Sequence, residues 1–117
     1  MKKVNSISYL TANRSLVDKL IACALACEDC STQCLQEEDV TMMTRCIELD
    51  RDCADTCFQL AKYLVRNSHE ISDFLQSCAN ICRLCAQECR KHDMQHCQKC
   101  ADACRDCADA CEKLQLV

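Results

Sequence analysis

Residues Cys97–Cys111 read CQKCADACRDCADAC, five cysteines in fifteen residues, separated by three, four, three and four positions. That spacing marks one face of an α-helix: at about 100° per residue, the five cysteines fall within an arc of about 80°. Lys99, Asp102, Arg105, Asp106, Asp109, Glu112 and Lys113 take the far side. The tract is therefore a helix with a charged outer face and an inner face of thiols and alanines.

The rhythm recurs along the chain. Cys23, Cys27, Cys30 and Cys34 superpose on Cys78, Cys82, Cys85 and Cys89 with a constant offset of 55. Shifting Cys46, Cys53 and Cys57 by 54 lands on Cys100, Cys107 and Cys111. The chain reads as a single bundle, 15–117, built as a duplicated helical hairpin (15–66 and 67–114) and preceded by an N-terminal segment, 1–14. Two departures stand out. Asp50 occupies the position matched by Cys104, and Met42 and Met43 align with His96 and Cys97.

Four segments carry helix signals. The first is expected from about Ser15 to Glu37, with Ser15 and Asp18 as a variant capping box. The second runs from about Thr41 to Arg66, entered through Asp39. The third begins near Asn67, with Asn67 and Glu70 as a capping box, and ends near Lys91. The fourth runs from Asp93 to about Leu114. Short polar links favour antiparallel neighbours, so the expected fold is all-α: an antiparallel up-down four-helix bundle with a cysteine-lined core. The chain has no Gly and no Pro. That absence argues against β-rich folds and excludes glycine-rich phosphate loops. A net charge of −4 without a basic stripe argues against nucleic acid.

With 16 cysteines in 117 residues, a disulfide scaffold is the first alternative. The opening MKKVNSISYLTANRSLVDKL holds no apolar run suited to an export signal, and no stretch approaches a membrane span. A cytosolic location is expected, where thiols stay reduced. Neighbours three or four apart on a helix also sit too far apart for an unstrained bridge. As core filling alone, sixteen cysteines make little sense, because Leu or Ile would stabilise the bundle more. Reduced thiols in this number point to metal.

Thiolates select Cu(I), zinc or iron–sulfur clusters. Clusters favour irregular loops over a regular helix face. Zinc in four Cys₄ sites would leave two negative charges at each, costly inside a narrow bundle. Cu(I) bridged between thiolates, about one ion per cysteine, leaves a neutral core. Charge balance favours copper; a zinc-binding or disulfide-stabilised bundle is the alternative. Met42, Met43, His92, Met94 and His96 fall near the two links that share one end, and suit a mouth for metal uptake. The larger apolar residues Leu16, Leu20, Leu60, Leu64, Phe74 and Leu75 gather at the other end, which is expected to be closed. His69 lies there as an ordinary surface residue. Asp50 falls within the cysteine arc, where it could hydrogen-bond, hold a proton or interrupt the thiol lattice.

The motifs CALACEDCSTQC, CIELDRDCADTC, CANICRLCAQEC and CQKCADACRDCADAC together resemble the bacterial copper storage proteins, and among them the cytosolic type. The resemblance covers about residues 15–114. It implies a non-enzymatic, preformed bundle storing many Cu(I) ions, a His/Met-bearing open end, and assembly into homotetramers. The three-cysteine second helix departs from the pattern and puts full occupancy there in doubt. Val17, Ile21 and Leu25 lie away from the first helix's cysteines and are expected to meet another subunit or be covered by the stretch around Tyr9 and Leu10.

Overall fold

The computed structural model describes residues 6–114. Its helices are α1 (Tyr9–Ala12), α2 (Arg14–Cys34), α3 (Thr44–Arg66), α4 (Ile71–Arg90) and α5 (Gln95–Lys113), with a 3₁₀ turn over Val40–Met43. No strand occurs among the described residues. Each long helix packs on its sequence neighbours and α5 closes against α2, the ring of an up-down-up-down bundle.

One residue set drives this packing. Leu16, Leu20, Cys23, Cys27, Cys30 and Cys34 of α2 are buried, and so are Cys46, Leu49, Cys53, Cys57, Leu60 and Leu64 of α3. In α4 the buried set is Ile71, Cys78, Cys82, Cys85 and Cys89; in α5 it is Cys97, Cys100, Cys104, Cys107 and Cys111. Alanines 24, 54, 79, 101 and 108 are buried beside them and let the helices approach closely. Exposed ion pairs tie α4 to α5: Arg83 reaches Asp109 at 2.7 Å and Glu112 at 2.9 Å, and Arg90 reaches Asp102 at 2.7 Å. They are exposed and contribute little each; the buried stripe holds the helices together. At the end where α3 meets α4, Tyr63 and Phe74 stack edge to face at 4.7 Å, with Arg66 over the Tyr63 ring at 5.1 Å. The buried side chains of Leu16, Leu20, Leu60, Leu64 and Ile71 fill that end, and His69 is exposed there.

The helix boundaries differ from expectation where capping decides them. Asn67 does not start α4. It ends α3, in the left-handed conformation at φ 53° and ψ 51°. The Ser68 N–H donates to the Tyr63 carbonyl at 3.0 Å, closing a Schellman-type turn. A chain without glycine uses the residue that tolerates this conformation next best. Ser68 instead serves the α4 start, its Oγ accepting from the Glu70 N–H at 3.3 Å. At α2 the Ser15–Asp18 box is not formed: the helix begins at Arg14, and Asp18 pairs with Arg14 at 3.2 Å. The second segment enters through the 3₁₀ turn, whose Met42 N–H donates to the Asp39 carbonyl at 3.3 Å. Met94, not Asp93, precedes α5.

The N-terminal segment contains helix α1, which the sequence reading missed. Ser8 Oγ caps it by accepting from the Thr11 N–H at 3.1 Å. It lies against α3, and Leu10 packs on the core. Val17 is buried within the chain, whereas Ile21 is half-buried and Leu25 is 57% exposed.

Candidate metal centre

The four stripes converge. All sixteen cysteines are free and buried. Sulfur meets sulfur between α2 and α3, between α3 and α4, and between α2 and α5. Cys23 lies 3.9 Å from Cys53 and 3.7 Å from Cys104, Cys53 lies 3.6 Å from Cys82, and Cys57 lies 3.7 Å from Cys78. Toward the mouth, Cys27 lies 3.6 Å from Cys100, Cys46 lies 3.4 Å from Cys89, and Cys34 lies 3.9 Å from Cys46.

These sulfurs form overlapping quartets, each with all its ligand atoms within 4.8 Å of one another. Cys23, Cys53, Cys57 and Cys82 make one; Cys23, Cys27, Cys53 and Cys104 make the next; Cys27, Cys85, Cys100 and Cys104 a third. Cys57, Cys78, Cys82 and Cys107 extend the series toward the closed end. Consecutive quartets share two members, so six of these ten cysteines belong to two sites at once. A structural zinc site usually holds four sulfur or nitrogen ligands of its own. Shared sulfurs suit an ion that accepts bridging thiolates.

At the other end the quartet is mixed. Cys30, Cys34 and Cys97 are joined by His96, whose Nδ1 sits 3.4 Å from Cys30 Sγ and 3.5 Å from Cys97 Sγ. Its side chain is only 8% exposed, and its Nε2 lies 2.9 Å from Glu37 Oε1. Outside it, Met42, Met43, His92 and Met94 line an open depression of about 340 Å³, rimmed by Glu37, Glu38 and Asp39. The expected mouth residues are thus brought to one end, in two layers. Met43 is fully buried and Met42 is 69% exposed. His92 Nε2 lies 2.8 Å from Glu88 Oε2.

Asp50 sits inside the lattice, fully buried. Its Oδ1 lies 3.2 Å from the Cys85 sulfur, 3.3 Å from Cys100 and 3.4 Å from Cys89, and its Oδ2 lies 3.8 Å from Cys46. The repeat located this position, but no pattern announced that one carboxyl would gather four thiols. Burial, with the negative character of the neighbouring sulfurs, pushes its pKa up to about 11. Burial likewise pushes the Cys97 thiol up to about 12 and raises Cys34. Burial thus favours the protonated thiols of Cys97 and Cys34, whose protons a thiolate-binding cation has to displace.

The Asp50 pKa has a thermodynamic consequence. A folded-state pKa raised from 3.8 means that the native protein holds a proton that the unfolded chain releases. The contribution is fully present below about pH 4 and is lost as pH rises toward 11. Asp50→Asn should therefore make the apoprotein more stable at neutral pH, by up to about 4 kcal/mol. The advantage should shrink as pH falls toward 4. Urea unfolding of both proteins across that range checks it; a constant difference would refute the buried-proton account.

Comparison with known proteins places this geometry. The copper storage protein family model matches residues 10–116. The uncharacterized cysteine-rich protein YhjQ of Bacillus subtilis is 39% identical over 86 residues, 74% of this chain and 80% of the relative. The Cu(I)-bound copper storage protein BsCsp3 superposes with a TM-score of 0.82 at 40% identity, over 86% of this chain and 94% of that one. A cytosolic copper storage protein from Streptomyces lividans, solved with five coppers, gives a TM-score of 0.85 at 37% identity, over 90% of this chain and 92% of that one. With the matched span, the helical bundle and the thiol-lined axis in agreement, the chain belongs to the copper storage protein family.

Proposed function

We propose that this protein is a non-enzymatic Cu(I) store that holds about one ion per thiolate along the inside of the bundle. Its ligands are the sixteen cysteines, and Met42, Met43, His92, Met94 and His96 pass copper between solvent and the lattice. The carrying observation is the edge-sharing of the sulfur quartets. With two sulfurs on each Cu(I) and each thiolate bridging two ions, the count approaches one ion per thiolate and the charges cancel, where divalent zinc in Cys₄ sites would leave an excess. The chain works as one domain, a duplicated hairpin. Its setting is the cytosol, where reductant keeps the thiols free; the S. lividans relative is described as cytosolic, and no helix among the described residues is long and apolar enough to cross a membrane.

The working form is a homotetramer. A groove of about 720 Å³ between α2 and α3 is lined by Val17, Ile21, Phe58, Ala61, Lys62, Val65 and Arg66. With Leu25 exposed beside it, this apolar face suits a second copy of the chain.

Competition under anaerobic, reducing conditions tests the reading. Protein loaded with zinc should surrender it to a stoichiometric Cu(I) supply, and zinc should not displace bound copper. Retention of zinc in four sites per chain against excess Cu(I) would overturn the proposal.

A further inference from the structure

We propose that Glu37 is a positioning residue that sets His96 as a port for copper; the inference rests on the storage reading above. His96 touches three groups: the Cys30 and Cys97 sulfurs through Nδ1, and Glu37 Oε1 through Nε2. An ionised carboxylate only accepts, so the 2.9 Å contact requires the proton on Nε2. A neutral imidazole then has its lone pair on Nδ1, between the two sulfurs. That is the arrangement in which metal-binding histidines work: the other ring N–H is held by a carboxylate, which fixes the ring plane and makes the ligating nitrogen more basic.

The local chain makes Glu37 suited to this. It follows α2 in a turn tied down by the Gln36 N–H donating to the Gln33 carbonyl at 3.0 Å and the Glu37 N–H donating to the Cys34 carbonyl at 3.2 Å. Its backbone is thereby anchored to that of Cys34, a member of the same quartet. The contact crosses from the α2–α3 link to α5, joining residues 59 apart in sequence. The distinction from His92 is informative. That ring, in the link after α4, also faces a carboxylate, Glu88, four residues earlier in the last turn of α4. No cysteine sulfur is within hydrogen-bonding distance of the His92 ring among the described residues, so its carboxylate contact does not aim a lone pair at the lattice.

Two readouts test Glu37. Nitrogen NMR of histidine-labelled apoprotein, above the titration range of imidazole, should show His96 protonated at Nε2, with that proton slow to exchange. In Glu37→Leu the proton should exchange fast, and early Cu(I) uptake in stopped flow should slow about tenfold, with final copper content unchanged. Glu37→Gln keeps an acceptor and should recover much of the rate, while Glu38→Gln, which removes a rim charge without touching His96, should slow uptake less. Protonation of native His96 at Nδ1, native uptake rates in Glu37→Leu, or equal slowing by Glu38→Gln would each overturn the assignment. If the native protein took up no copper, the storage reading would fail on its own, and the NMR pattern would still decide whether Glu37 sets the ring.

Discussion

Leu60→Ala is expected to remove about 2–5 kcal/mol from the stability of the apoprotein. Leu60 is fully buried at the closed end with Leu20 and Leu64. These are among the few large side chains in a core otherwise made of thiols and alanines. A cysteine buries little apolar area, so the thiol tract contributes modestly per residue and the leucine end carries a large share of the hydrophobic term. A domain of this size has about 5–15 kcal/mol in total. The variant should therefore unfold at markedly lower urea or temperature, close to marginal stability. Cys107→Ala, in the thiol tract, should cost less, because a smaller volume is lost.

The same variant should be rescued by its cargo. Ligands that bind only the native state stabilise it in proportion to the logarithm of their saturation, and many bound ions sum. Copper-loaded Leu60→Ala should melt far above the native apoprotein. Circular dichroism on apo and loaded forms of both proteins checks the pair. A helical native apoprotein and a fragile apo variant are expected; an apo native chain that gains helix only on adding copper would contradict a preformed bundle.

Much of this was legible in the residues, for a definite reason. A cysteine stripe at three-four spacing is simultaneously a helix signal, a facing signal and a chemistry signal, so Cys97–Cys111 alone fixes an element, its orientation and its content. The internal repeat then extended that conclusion to the other three helices and marked Asp50 as inward. The boundaries were harder. Asn67 reads equally as a helix start or a helix end, and only its left-handed backbone decides between them. Helix α1 is a single turn, too short for any periodicity to register. Glu37 was unreadable because its partner lies 59 residues away, and a lone carboxylate in a link carries no pattern. The two layers of the mouth were hidden too. Met42 and Met43 are adjacent in sequence, yet the 3₁₀ turn buries one and exposes the other.

The decisive quantity is the number of coppers a chain holds. The sulfur lattice offers sixteen thiols in quartets that share their corners, and neutrality is reached only when monovalent ions approach the number of thiolates. Native mass spectrometry after anaerobic Cu(I) addition, with free thiols counted in the same sample, measures this directly. The expected result is sixteen free thiols before loading and more than about ten coppers per chain afterwards, with few thiols left reactive. Saturation at one or two coppers with most thiols still reactive would contradict the account.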